Sequence, residues 1–553
     1  MREILDLVRN TVLLFATTRT PETSSQRLSQ FFLTQTIMIR LTNILTTFIY
    51  PTLVLFLVVG FLQSGQAAEK PNIVFIYADD IGYGDFSCYG GTGADTAYTD
   101  KLAANGLRFL SGYCAAATCT PSRYSLLTGQ YAFRNKNAKI LPGNAPLIID
   151  PKKPSIANFL RDQGYTTALV GKWHLGLGSA AEPLDWNAEI KPGPREVGFE
   201  YSYHIAATGD RVPSVYIENG YIEGLDPNDP ISVSYAEPVG NEPTGISHPH
   251  LLKVQADEQH SGTIVNNVSR IGTMTGGQKA RFVDEDMADR FVEKAVGFIE
   301  REKDNPFFLY FATHDNHVPR VPHPRFIGSS SLGPRGDAVM EFDWCVKQIV
   351  LALEENGLTE NTMVILTSDN GPVLFDGYWD SAIEMQGDHK AAGPWRGGKY
   401  GRWEGGTRMP FIVSWPGTIE PGISEAIVSQ VDLFASVAAL LGRKLPKGAS
   451  TDSLNMLPAL LGESPTGRDY LVEEALEDVA IRQGNWKYIP RGKSGVVRHR
   501  LGIDKNENTP IPETGFLFHL AEDPIEQNNL AGLYPEKVAE LRAILEKEAP
   551  GKL

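Results

Sequence analysis

Two pairs of acidic and amide residues stand where apolar runs end. The run 73–77, IVFIY, leads into Asp79-Asp80, and the run 363–366 leads into Ser368-Asp369-Asn370-Gly371. Three carboxylates and one amide oxygen form a donor set for a hard divalent cation such as calcium or magnesium. Taken singly, each pair reads more readily as a turn or a helix cap, because Asp and Asn side chains bond to nearby backbone. Their recurrence on two strands of one sheet favours metal. A third segment is Cys119-Thr120-Pro121-Ser122-Arg123. Pro121 suits the first turn of a helix, which sets Ser122 and Arg123 near its amino end. An anion there meets open amides, the positive end of the helix dipole and Arg123 together. In isolation Cys119 reads as a buried structural cysteine.

These residues need a frame that brings strand ends together. Short apolar runs at 73–77, 166–170, 307–311, 363–366 and 411–413 read as buried strands. Between them, Met287, Phe291, Val292, Ala295, Phe298 and Ile299 share one face of a helix opened by Asp284 or Asp286. Val339, Phe342, Val346, Ile349, Val350 and Leu353 share a face of another, stopped by Gly357. The alternation predicts an α/β fold with a large, mostly parallel sheet flanked by helices. Ligands of such sheets bind at the carboxyl ends of the strands, where the acidic pairs stand. The stretch 199–278 is rich in Gly, Pro, Asn and Ser and lacks periodicity. It is too long for a connector, so it is expected to line a binding site. After Gly462, strands at 478–481, 486–489 and 516–519 and a charged helix at 534–547 predict a smaller α+β domain. The expected division is 69–462 and 463–553.

The 553 residues are 42% apolar and 21% charged with four cysteines, which excludes a disordered chain, a collagen-like repeat and a disulfide scaffold. A net charge of −15 argues against a nucleic-acid partner, since such binding draws on basic residues that neutralise phosphates. Residues 1–68 read as a leader. The apolar run 53–62, LVLFLVVGFL, precedes Ser64-Gly65-Gln66-Ala67-Ala68, a secretory signal with cleavage after Ala67 or Ala68. Arg40 supplies the positive start if translation begins at Met38. A membrane anchor needs about 20 apolar residues, and Thr46, Thr47, Pro51 and Thr52 interrupt the longer stretch, so no stable span is expected. The protein is expected to be exported, to the periplasm or the medium, where disulfides can form. Cys88, Cys114, Cys119 and Cys345 match no zinc spacing, and their pairing is open.

The full segment CTPSRYSLLTGQ resembles the signature of the type I, formylglycine-dependent sulfatases of the alkaline phosphatase superfamily. In that family C-x-P-S-R is the code for oxidising the cysteine to formylglycine. The resemblance extends to PNIVFIYADDIGYG at 71–84, GKWHLG at 171–176, SDNG at 368–371 and GKYGRWEGG at 398–406, spanning about 71–417. It implies that Asp79, Asp80, Asp369 and Asn370 bind one calcium ion and that Cys119 is the formylglycine precursor. Arg123 then steadies the aldehyde hydrate, Lys172 and Lys399 grip sulfate oxygens, and His174 orients or deprotonates the hydrate. The remaining histidine lies in FATHDNHVP at 311–319, where His317 keeps the family's relation to Pro319 better than His314 does.

The resemblance further implies hydrolysis of a sulfate monoester, from a sulfated sugar or an aryl sulfate, after maturation by a formylglycine-generating enzyme. One hydroxyl of the hydrate attacks sulfur, and His317 protonates the leaving oxygen. The other hydroxyl expels sulfate as the aldehyde re-forms. An acidic shell around a basic pocket favours one terminal sulfate over a long polyanion, hence exo action on arylsulfatase- or N-acetylgalactosamine-6-sulfatase-like substrates. Arg320, Arg325, Arg396 and Arg402 either read neighbouring anionic groups or serve as surface salt-bridge partners. The alternatives are a phosphonate or phosphodiester hydrolase of the same superfamily and a non-catalytic glycan-binding relative.

Overall fold

The computed structural model describes residues 70–449, 452–498, 501 and 508–553, with scattered positions between 23 and 39. The apolar run 53–62 and Met38 lie outside the described residues. Lys70–Leu553 forms one compact unit. Its centre is Asn72–Ala78 (β1), buried along its whole length. Ile73, Phe75 and Tyr77 join one core, and Val74, Ile76 and Ala78 join the core on the opposite face. A strand buried on both faces must be continuously apolar, which is how 73–77 reads.

Thr166–Lys172 (β2), Tyr201–Ile205 (β3), Phe307–Ala312 (β4) and Thr362–Ser368 (β5) join β1 in parallel, in the order β3-β2-β4-β1-β5. Phe411–Ser414 (β6) adds antiparallel beyond β5, and short edge strands bring the sheet to ten. The expected mostly parallel sheet is therefore present. Cys119–Thr128 (α1) packs Leu126 and Leu127 on the Phe75 face. Met287–Glu302 (α2) and Gly333–Glu355 (α3) cover the other face through Phe291, Phe298, Phe342 and Val346. α2 opens at Asp286, one of the two residues expected, though its side chain does not cap the helix. Asp284 bonds Arg270 at 2.7 Å. The buried guanidinium offers the carboxylate a stronger partner than the helix amides do.

The carboxyl-terminal region is antiparallel. Tyr470–Ala475 (β7), Asp478–Gln483 (β8), Trp486–Ile489 (β9) and Phe516–His519 (β10) form one sheet, against which Pro535–Glu548 (α4) lays Leu541 and Leu545. This sheet touches the segment that leads into α1. Ala117 donates its N–H to the Glu474 carbonyl at 2.7 Å, and Glu474 donates to the Ala115 carbonyl at 3.0 Å. All four cysteines are free. Among the described residues, no helix is long and apolar enough to cross a membrane.

Candidate active site

Because β1 and β5 are neighbours in parallel, their carboxyl ends place Asp79-Asp80 beside Asp369-Asn370. The Asp80 N–H donates to Asp369 Oδ1 at 3.3 Å, and Asn370 Nδ2 donates to Asp80 Oδ1 at 2.7 Å. Asp80 holds a left-handed backbone (φ 61°), a strain of about 1–3 kcal/mol of the sort that collects at functional sites. All four side chains are buried. Asp79 Oδ1 and Asn370 Oδ1 have no hydrogen-bond partner, a costly arrangement for buried oxygens that a cation would relieve. Burial pushes the Asp79 carboxyl well above the usual range, and the charge of Asp369 adds to the effect. Burial also raises Asp80, against the pull of Lys399. At Asp369, burial opposes ionisation, but Arg123, Lys172 and Lys399 outweigh it and hold the group low. Ligand atoms of Asp79, Asp80, Cys119 and His317 lie within 4.8 Å of one another. The oxygen-rich donors and orphaned acceptors fit a hard divalent cation.

Cys119 is the first residue of α1, and Thr118 precedes it in extended conformation without a side-chain cap. The first helical bond is that of the Ser122 N–H, so the amino end of the helix faces the acidic cluster uncapped. Burial pushes the Cys119 thiol up to about 12, ahead of the opposing charges of Lys172 and Lys399. An unmodified thiol in this setting stays protonated and is a weak nucleophile.

The predicted cations converge on the same spot. Arg123 bonds Asp369 Oδ2 through Nε at 3.1 Å and Nη2 at 2.8 Å, and bonds the Lys172 carbonyl through Nη1 at 3.2 Å. This ties α1 to the ends of β5 and β2. Lys172 Nζ bonds Asp79 and stands 3.9 Å from Asp369 Oδ2. Lys399 Nζ bonds Asp80 Oδ2 at 2.8 Å and Asp376 Oδ2 at 3.2 Å.

The histidines differ in what their rings have left to offer. His317 pairs Nδ1 with the Val318 carbonyl at 2.7 Å and leaves Nε2 3.8 Å from Asp80 Oδ2. His174 pairs Nε2 with the Leu141 carbonyl at 2.9 Å, leaving Nδ1 buried and without a partner. A carbonyl fixes the proton on the nitrogen that faces it, so each free nitrogen carries a lone pair. Burial first, then nearby lysines, holds both rings well below the ordinary imidazole range. His314 accepts the Gly209 N–H at 3.0 Å.

A cavity of about 580 Å³ opens above this floor, with Cys119, His174, His317 and Lys399 at its base. As expected, the 199–278 stretch lines it, through Asp210, Arg211, Tyr235, Asp257 and His260 among others. Composition identified the stretch but not these members. Arg211 Nη1 bonds Asp210 Oδ1 at 2.7 Å and Thr208 Oγ1 at 2.6 Å. His260 lies between Asp257 Oδ1 at 2.7 Å and Asp210 Oδ2 at 3.5 Å. Burial works against its charge, but the two carboxylates outweigh it and raise the ring to about 9. Asp376, Tyr400 and Arg498 complete the wall. Tyr400 adjoins Lys399 and was within reach of the motif; the others carry no local signal.

Neither reading of the four arginines holds for three of them. Arg320 is buried and bonds Asp380 at 2.7 Å and three backbone carbonyls. Arg402 bonds the carbonyls of Pro490 and Val496 at 2.8 and 2.9 Å. Arg396 stacks on Trp403 and bonds the Glu526 carbonyl at 2.8 Å. Arg325 is the surface salt bridge, to Asp289 at 2.8 Å. Buried carbonyls without sheet partners need donors, and guanidinium supplies several at once.

The sulfatase family model matches residues 71–443, the span that holds every one of these floor residues. The chain belongs to the sulfatase family. This sulfatase is 48% identical over 489 residues to an N-acetylgalactosamine-6-O-sulfatase of Bacteroides thetaiotaomicron, covering 88% of this chain and 94% of the relative. It is 31% identical to human arylsulfatase A over 87% of this chain and 89% of that one. A solved structure from work on glycosaminoglycan metabolism by Bacteroides thetaiotaomicron superposes with a TM-score of 0.83 at 47% identity, over 87% of this chain and 99% of the other. This sulfatase is thus a sulfuric ester hydrolase with the mixed sheet and the smaller carboxyl-terminal sheet of its relatives.

Proposed function

We propose that this sulfatase hydrolyses 6-O-sulfate esters of N-acetylgalactosamine-type sugars, using a formylglycine made from Cys119 and one calcium ion held by Asp79, Asp80, Asp369 and Asn370. The observation that carries the chemistry is the position of Cys119, buried at the amino end of α1 in one cluster with Asp79, Asp80 and His317. The sugar is argued from the 48% identity to an N-acetylgalactosamine-6-O-sulfatase over nearly its whole length. Residues 1–68 are read as the export leader, and maturation falls to a formylglycine-generating enzyme.

When in place, the hydrated aldehyde supplies a nucleophilic oxygen with a second hydroxyl, and calcium supplies charge for the sulfate oxygens. The chain's own residues do the rest. Lys172 and Lys399 set two ammonium groups on the floor, where low dielectric strengthens their hold on an anion. Arg123 is pinned by Asp369, so its charge costs no reorganisation as the reaction proceeds. His317 presents Nε2 beside Asp80; an arriving sulfate anion favours its protonated form, which then donates to the leaving sugar oxygen. His174, with Nδ1 free of partners at the same cavity, is available to take a proton.

Four measurements test the reading. The peptide containing Cys119, isolated from a host that makes formylglycine, should carry the mass of the aldehyde; an intact thiol contradicts the mechanism. Turnover of nitrophenyl sulfate should exceed that of nitrophenyl phosphodiesters, and the reverse order defeats sulfate specificity. N-acetylgalactosamine 6-sulfate should be cleaved in preference to the 4-sulfate, and chelation of calcium should stop the reaction.

A further inference from the structure

A second cavity, of about 470 Å³, opens beside the first. The two share Ile140, Tyr400, Leu476 and Arg498, so one groove runs from the sulfate-binding floor toward the carboxyl-terminal sheet. Leu476 stands at the divide. It lies in the two-residue turn between β7 and β8, where Ala475 pairs with Asp478. Its backbone is left-handed (φ 58°), a conformation that costs a branched residue about 1–2 kcal/mol. A turn of this kind favours Asn or Gly. The leucine instead sets a half-buried aliphatic side chain against both cavities, opposite Ile140. Apolar walls of this sort pack the CH faces of a sugar ring.

The charge of the second cavity is also specific. Its carboxylates are taken up: Asp478 accepts the N–H groups of Lys493 at 2.8 Å and Ser494 at 3.3 Å, and Glu477 pairs with Lys139 at 3.0 Å. Arg402 is engaged by backbone carbonyls. The side chains of Lys493 and Arg498 are exposed and have no carboxylate partner among the described residues. Two cations outside any ion pair among the described residues, on a chain of net charge −15, give this groove a local positive field.

We propose that the groove is a second sugar subsite, which holds the saccharide unit next to the sulfated one and offers Lys493 and Arg498 to a carboxylate or sulfate on that unit. The inference rests on the proposed sugar-sulfate activity and extends it from a single residue to an anionic disaccharide. Leu476 and Ile140 grip the ring, and the two cations read its charge.

The test uses the full-length Cys119→Ala enzyme and equilibrium binding, so that no turnover intervenes. The probes are N-acetylgalactosamine 6-sulfate alone and the same sugar extended by a uronic acid, by a sulfated hexose or by an uncharged hexose. One of the charged extensions should tighten binding about tenfold over the monosaccharide, and which one does so identifies the anion. Lys493→Ala should remove that gain and leave the monosaccharide's dissociation constant unchanged. Equal affinity for all four probes overturns the subsite. An equal gain from the uncharged hexose overturns the role of the cations. If no sulfated sugar binds at all, the proposed function falls and the subsite with it; if the monosaccharide binds and no extension improves on it, the subsite alone falls.

Discussion

The molecule buries two clusters of charge that look alike by count. The floor of the candidate active site sets Asp79, Asp80 and Asp369 against Arg123, Lys172 and Lys399. The junction between the two sheets sets Glu404, Glu473 and Glu526 against Lys487, Arg408 and Arg482. Their geometry separates them. At the junction one ammonium serves all three acids: Lys487 Nζ is 2.9 Å from Glu404, 2.9 Å from Glu473 and 3.8 Å from Glu526. Arg408 adds 3.1 Å to Glu404, and the Glu404 N–H closes onto Glu526 at 2.7 Å. Burial first, and then the neighbouring acids, raises the Glu526 carboxyl to about 8 against the pull of Lys487. Both clusters keep unpartnered oxygens, Asp79 Oδ1 and Asn370 Oδ1 on the floor and Glu473 Oε1 and Glu526 Oε1 at the junction, but on the floor each lysine takes a different aspartate and the cluster opens into a cavity through Cys119 and His317. Three residues there or beside it, Asp80, His174 and Tyr400, hold left-handed backbones. A cluster for stability gathers around a shared partner in the interior; one for reaction opens to a cavity and holds strain for a ligand to relieve.

This contrast yields predictions from the largest effect downward. Cys119→Ala should lower kcat by at least about 10⁴-fold, more than 5 kcal/mol of barrier, with the denaturation midpoint unmoved; activity near the wild-type level would show that the floor does not act through position 119. Lys487→Met should do the reverse. Removing the shared ammonium takes from Glu473 and Glu526 their one cation among the described residues and leaves Glu404 to Arg408, which should cost about 3–5 kcal/mol of stability, read by urea unfolding, with kcat of the folded fraction preserved. His317→Ala should cut turnover of a sugar sulfate by about 10²–10⁴-fold, the usual worth of a proton donor. The same variant should lose far less on nitrophenyl sulfate, whose leaving group departs without a proton, and equal losses on both would remove His317 from that role.

The smallest effect tests the cavity wall. His260 is raised from 6.5 to about 9 in the folded protein, so the stability it lends is full below about 6.5 and is lost as pH rises through about 9. The KM for sugar sulfates should therefore rise severalfold between about pH 7 and about pH 10. His260→Gln should flatten that rise. A pH-independent KM in the wild type would leave the Asp210–His260–Asp257 bridge without influence on binding.

What could be read from sequence divides along the same line as the two clusters. The floor was readable because each of its parts is local: Asp79-Asp80 and Asp369-Asn370 each follow their strand directly, and Cys119 and Arg123 lie within one turn of one helix. The choice of His317 over His314 rested on the spacing to Pro319, and the structure gives it a reason, since His317 borders the cavity while His314 is held by Gly209. The arginines misled because a guanidinium that bonds backbone carbonyls in the interior is spelled the same way as one that faces a substrate.

The sequence by itself determined the sheet, through apolar runs too continuous for a one-sided strand, and which residues gather on the candidate floor, through short motifs fixed to strand ends. Tertiary structure alone decided the rest. Asp210, His260, Tyr400, Leu476 and Arg498 come from segments far apart in the chain, and they meet because the irregular 199–278 stretch and the β7–β8 turn close over the same opening. The junction cluster forms likewise only once Lys487 of β9 meets Glu404 at the start of the short helix Glu404–Thr407. Periodicity and local spacing report what neighbouring residues do together; contacts made by closing long loops leave no such trace.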